Sequence, residues 1–154
     1  MMINRIWGLV LSVIFRCACV IFSITKTQIH GTLVAVWKKG RILLVQKSYQ
    51  KGWSVPGGLL RKSESREQAV ARETFEEVGI RLNEEDLVFI SEVKGELGPN
   101  NPTYLFEVQI DCPVNVRIDG REIVKAEFVL PEEALKRALN EHVAGYLRAR
   151  SGFK

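Results

Sequence analysis

The chain has 154 residues, 46% of them apolar and 26% charged, which suits one globular domain with a modest core and excludes a collagenous or low-complexity chain. The formal net charge of +4 is unevenly spread: all 18 acidic residues lie after position 27, and with Arg5, Arg16 and Lys26 set aside the rest is nearly neutral. That balance excludes a general nucleic-acid-binding surface, and small clusters such as Arg61-Lys62 read as solvated edges within reach of a phosphate at most. Three cysteines, Cys17, Cys19 and Cys112, are odd in number and lack zinc-ligand spacing, so a reduced, cytoplasmic setting is expected.

In chain order, residues 1–26 are predicted to carry a hydrophobic N-terminal helix, followed by a separate domain over residues 27–154. Residues 6–24 hold one charge, Arg16, and their length matches the hydrocarbon core of a bilayer. Arg16 opposes insertion by about 2.5–3.5 kcal/mol, which the surrounding Leu, Val, Ile and Phe offset. Three readings stay open: a membrane anchor, a helix packed on the domain or in a homodimer interface, and a true start nearer Thr25. Under the first, the denser positive charge at Lys26, Lys38, Lys39 and Arg41 leaves the domain at the cytoplasmic face of the inner membrane.

Residues 29–37 and 41–47 read as strands joined by a turn at Lys38-Lys39-Gly40. Residues 48–56 form a loop, with Trp53 as a core anchor, and Pro56-Gly57-Gly58 makes a turn that brings backbone close to a site. A helix is predicted over 66–78, capped by Ser65 with Gln68 and stopped by Gly79. Its buried side is assigned to Ala69, Val70, Thr74, Phe75 and Val78. Strands follow at 87–93, 103–110 and 123–130, and Val114, Val116 and Ile118 alternate in the same manner. The tail is one helix or two from 134 to 148, broken near Asn140, with Pro131-Glu132-Glu133 as a start signal.

Chemistry concentrates in residues 58–80. Glu73, Glu76 and Glu77 stand at i, i+3 and i+4, so on a helix they share a face and repel unless something strongly positive lies over them. Clustered carboxylate oxygens are the preferred ligands of Mg²⁺ or Mn²⁺. Gly58, Glu64, the Arg72-Glu73 pair, Glu76-Glu77, Gly79 and Ile80 complete the pattern. A charged helix with a merely solvated acidic face explains neither the glycines at both ends nor the Trp53-Ser-Val-Pro-Gly-Gly58 run before it.

This segment resembles the Nudix box, G-x5-E-x7-R-E-U-x-E-E-x-G-U with U a bulky aliphatic residue, and departs from it only at Thr74. Threonine can bury its methyl group, so little effect on the fold is expected. The late run from Glu122 to Ala134 is similar to the strand-to-helix segment of many family members. The resemblance covers roughly residues 27 to 140. It implies an α/β/α sandwich around a mixed sheet and a metal-dependent hydrolase that cleaves a nucleoside diphosphate linked to another moiety. It further implies Mg²⁺ or Mn²⁺ ligands at Glu73, Glu76 and Glu77, with the Gly58 carbonyl as a further candidate. Glu73 doubles as the general base within the box, and Arg72 pairs with Glu64 to pin the loop to the helix. Some members place the base outside the box, for which Glu96, Glu107 and Glu122 are the candidates. Tyr49, Trp53, Tyr104 and Phe106 are the candidates for stacking a base, and His30 and His142 read as structural. The alternative function is a nucleotide-sensing regulatory module on the same fold, which has no need of three crowded carboxylates.

Overall fold

The computed structural model describes residues 29–95 and 101–152, together with Val10, Val13, Ile14 and Cys17. Two strands open the domain, β1 (Gly31–Lys38) and β2 (Arg41–Lys47), paired antiparallel with Trp37 opposite Ile42. Lys39 and Gly40 between them both take left-handed φ, 48° and 72°, the geometry a two-residue hairpin needs to match strand twist. Helix α1 (Arg66–Val78) follows, then β3 (Val88–Lys94), β4 (Pro102–Gln109), β5 (Ile123–Val129), the short α2 (Pro131–Ala134) and α3 (Glu141–Ser151).

The strands form one mixed sheet in the order β3-β4-β1-β2-β5. β1 runs parallel to β4, with Val34 opposite Phe106, and the other neighbours are antiparallel. Period-two alternation sends Val34, Val36, Leu43 and Val45 to one face, where Val70 and Val78 of α1 pack with Phe106 and Ile123. Ala35, Trp37, Ile42 and Leu44 point to the other face, against Ala134, Val143 and Leu147 of α2 and α3. Helices on both faces explain why β1 reads as an unbroken apolar run. The α/β/α sandwich and the break at Asn140, which caps α3 through its side chain, follow the sequence reading.

Helix α1 has the predicted bounds. Ser65 Oγ accepts from the Gln68 N–H, Gln68 returns a bond to the Ser65 N–H, and Gly79 closes the helix at φ 72°. Ser65→Ala should therefore lower the unfolding free energy by about 1 kcal/mol in urea titrations.

Two expectations change. Phe75 is exposed, not buried, with the Arg81 guanidinium 4.2 Å from its ring. It lies five residues past Val70, about 140° round the helix from that residue and beyond the edge of the packed stripe, and Glu77 takes a buried position instead. The alternation at Val114, Val116 and Ile118 does not become a strand: that segment crosses the end of α1, where the Arg117 N–H bonds the Val78 carbonyl, and Val114 and Val116 pack into the first core. Of the N-terminal hydrophobic helix, all but Val10, Val13, Ile14 and Cys17 lies outside the described residues. Among the described residues no helix is long and apolar enough to cross a membrane.

Candidate active site

The turn before α1 lies along β1 as a further stretch of extended chain. Val34 N–H bonds the Pro56 carbonyl at 2.9 Å, Thr32 N–H the Gly58 carbonyl at 2.8 Å, and Leu60 N–H the His30 carbonyl at 2.9 Å. Two glycines permit this approach. A Cβ on Gly57 would lie 2.0 Å from the Thr32 carbonyl oxygen, and one on Gly58 would lie 2.3 Å from Cδ of Glu73. The Glu73 carboxylate is thus seated directly on the Gly58 backbone. The Gly58 carbonyl, a candidate ligand from sequence, already accepts from Thr32.

Arg72 ties turn to helix. Its Nε stands 2.7 Å from Glu64, one terminal nitrogen 2.6 Å from Glu73 and 3.3 Å from Glu76, and the other bonds the Leu59 carbonyl at 2.9 Å. Glu64 also accepts from the Arg61 N–H at 3.0 Å. Hydrogen bonds from Arg72 hold the Glu64 carboxyl well below its usual range, at about 2, against a smaller upward push from burial. A lowered acid favours the fold once ionised, so its contribution is present above about pH 4.5 and lost as pH falls towards 2. Glu64→Gln should flatten the fall of melting temperature across that acid window.

The three box carboxylates share a face but sit at three depths. The Glu77 side chain is 4% exposed, Glu73 15% and Glu76 48%. Glu77 Oε2 accepts from the Gly57 N–H at 2.9 Å, while Oε1 has Lys47 Nζ at 2.9 Å as an ion pair and no hydrogen bond of good geometry. Lys47 also donates to the Gly57 carbonyl at 2.7 Å and stands 3.6 Å from Glu122, which accepts from the Tyr49 hydroxyl at 2.6 Å. Burial pushes the Glu77 carboxyl up to about 7, against the opposing pull of Lys47 and the Gly57 N–H. Burial also works against the Lys47 ammonium, yet the charges of Glu77, Tyr49 and Glu122 outweigh it and keep its pKa above the ordinary lysine value.

Lys47, Tyr49, Gly57, Gly58, Glu73 and Glu122 border a cleft of about 370 Å³. Of the carboxylates considered outside the box, Glu122 faces the cleft. Glu107 lies on the opposite sheet face, bound by Tyr146 and by Arg150 at 2.6 Å, and Glu96 lies outside the described residues. Of the aromatic candidates, Tyr49 lines the cleft, Tyr104 and Phe106 are buried, and Trp53 packs on the second core under the Arg137 guanidinium. His30 lies 3.1 Å from the Tyr104 hydroxyl, and His142 reaches the cleft wall.

Among the described residues no three His, Cys, Asp or Glu side chains converge closely enough to hold a cation; Glu73 and Glu76 are paired with Arg72, and Glu77 with Lys47. The donor set still fits a divalent cation: all are hard oxygens, and the buried Glu77 Oε1 already faces a positive charge, the Lys47 ammonium at 2.9 Å. Sequence reasoning missed Lys47. The signal available was periodicity, since Leu43, Val45 and Lys47 share the face that α1 covers.

A family model described as the NUDIX domain matches residues 29–149. The chain is 38% identical over 66 residues to a MutT-like protein of Streptomyces ambofaciens, covering 41% of this chain and 43% of that protein. It is 40% identical over 53 residues to an RNA pyrophosphohydrolase of Pasteurella multocida, covering 34% and 27%. It thus spans less than half the length of these curated relatives. Among solved structures it is similar to the MutT protein from Methanosarcina mazei (TM-score 0.66, 22% identity, 82% of this chain and 96% of that one). It is also similar to an Ap4A hydrolase of C. elegans (TM-score 0.62, 25% identity, 80% and 96%).

Proposed function

This chain belongs to the NUDIX domain family, and from that premise we propose that it is a metal-dependent pyrophosphohydrolase acting on a nucleoside diphosphate linked to another moiety. The observation that carries the reading is the buried Glu77 oxygen, ion-paired to Lys47, on a helix that also presents Glu73 to the cleft and carries Glu76 one turn further along. Relatives named RNA pyrophosphohydrolase and Ap4A hydrolase support the substrate class.

Hydrolysis of a phosphoanhydride requires water to approach a polyanion. A Mg²⁺ or Mn²⁺ held by Glu73, Glu76 and Glu77 would supply charge neutralisation at the phosphate oxygens and acidify water. Arg72 positions Glu73 through the 2.6 Å pair and anchors the turn through Glu64 and the Leu59 carbonyl. Glu73 and Glu122 both line the cleft, which supports either as the acceptor of the proton from water. The Tyr49 hydroxyl orients Glu122.

A panel of nucleoside triphosphates, dinucleoside polyphosphates and nucleotide sugars, assayed for phosphate or pyrophosphate release with Mg²⁺ and with chelator, tests the reading. Metal-dependent turnover of at least one is expected; turnover lost in Glu122→Gln with Mn²⁺ binding intact assigns the proton to Glu122, and full turnover in Glu122→Gln leaves it to Glu73. A folded protein that binds Mn²⁺ and nucleotide yet turns over nothing is the sensor module instead. Membrane attachment through residues 6–24 stands as a separate proposal; recovery of the full chain in the soluble fraction without detergent ends it.

A further inference from the structure

Lys47 is a buried charge that the reaction outlined above does not use. Its side chain is 10% exposed, and its ammonium lies among three oxygen groups: the Glu77 carboxylate at 2.9 Å, the Gly57 carbonyl at 2.7 Å and the Glu122 carboxylate at 3.6 Å. A compact ammonium with three donors suits such a set, and a flexible four-carbon stem lets it withdraw. Hard oxygens around a buried positive charge are also what a divalent cation takes. The remaining Glu77 oxygen is fixed by the Gly57 N–H, so Oε1 is the atom on which both positive groups converge.

We propose that Lys47 is a tethered stand-in for the divalent cation: its ammonium neutralises Glu77 while the site is empty of metal and leaves Oε1 when metal binds. The inference rests on the preceding reading of Glu77 as a metal ligand. Without either positive group Glu77 is an unpaired buried carboxylate, which strongly disfavours the fold. Lysine therefore keeps the site formed before metal arrives. With both present, two positive charges would crowd one oxygen, so each weakens the binding of the other. Lys47 acts through Glu77 and is a positioning residue.

The test compares the full chain with Lys47→Met and Lys47→Arg at one mildly alkaline pH. Mn²⁺ binding is followed by the electron paramagnetic resonance signal of the free ion, and melting is recorded in chelator and in saturating Mn²⁺. Lys47→Met should bind Mn²⁺ about tenfold more tightly than the natural chain, as expected when a neighbouring charge is removed. It should melt lower in chelator, with the deficit closing in Mn²⁺, and Lys47→Arg should keep the natural affinity. If Lys47→Met folds only when Mn²⁺ is present, that too supports the exchange. Equal or weaker Mn²⁺ binding by Lys47→Met, the same melting deficit in both conditions, or failure to fold even with Mn²⁺ overturns it. If the natural chain binds no Mn²⁺, the metal-dependent reading falls and the inference with it; unaltered affinity in a chain that does bind Mn²⁺ removes the inference alone.

Discussion

Glu77→Gln should lower kcat/KM by about a thousandfold or more, the scale set by losing several kcal/mol of charge stabilisation at the phosphate. The substitution is nearly isosteric, and its carbonyl can still accept from the Gly57 N–H that Glu77 Oε2 binds at 2.9 Å. The turn should therefore survive, and far-ultraviolet circular dichroism should be unchanged. What is lost is the charge facing Lys47, which then keeps the Gly57 carbonyl and the Glu122 carboxylate at 3.6 Å, so a lower melting point is expected alongside the kinetic loss. A second readout separates the charge from the shape. Burial raises the Glu77 carboxyl from 4.5 to about 7 against the opposing pull of Lys47 and the Gly57 N–H, so ionising it costs the fold more than the unfolded chain, and Lys47 offsets only part of that cost. Its contribution is fully present below about pH 4.5 and disappears as pH rises through about 7. In chelator, the natural chain should lose stability across that window and Glu77→Gln should not. Retention of turnover within tenfold of the natural chain would remove Glu77 from the site.

Much of the site was legible because it is local. Capping chemistry at Ser65 and Gln68 and the left-handed stop at Gly79 fix α1 from neighbouring residues alone, and the Arg72–Glu64 pair joins two positions eight residues apart. Misreadings arose where hydrophobicity stood in for geometry. The apolar side chain of Phe75 suggests the core, yet its angular position faces solvent, and Glu77 is buried because Lys47 and the Gly57 N–H compensate its charge. Lys47 enters the site only because β2 slides under α1, a contact between distant elements. Glu107 leaves consideration for the same kind of reason: Tyr146 and Arg150 of α3, far along the chain, bind it on the other face of the sheet.

Adjacent glycines should respond oppositely to the same methyl group. At Gly57 the added carbon meets the Thr32 carbonyl oxygen at 2.0 Å, Leu33 Cα at 2.8 Å and the Thr32 carbonyl carbon at 2.9 Å. All three belong to the backbone of β1, a central strand that cannot yield without disturbing both cores. Gly57→Ala should therefore destabilise by about 3 kcal/mol or more in urea titrations. At Gly58 the carbon meets only Cδ and the two oxygens of Glu73, at 2.3–2.6 Å, the far end of a side chain that can turn away. Gly58→Ala should change stability by less than about 1 kcal/mol, since reduced freedom of the unfolded chain offsets the disturbed Arg72–Glu73 pair. Its kcat/KM should nonetheless fall by about a hundredfold, the usual consequence of moving a catalytic group by an ångström. Fold stability and turnover measured on both variants resolve the matter: full activity in Gly58→Ala would mean that the seat of Glu73 on that glycine has no part in the reaction. Stability loss at Gly57 with stability retained at Gly58 would locate the constraint in the packing of the turn on β1 at the first glycine, and in the chemistry of the carboxylate at the second.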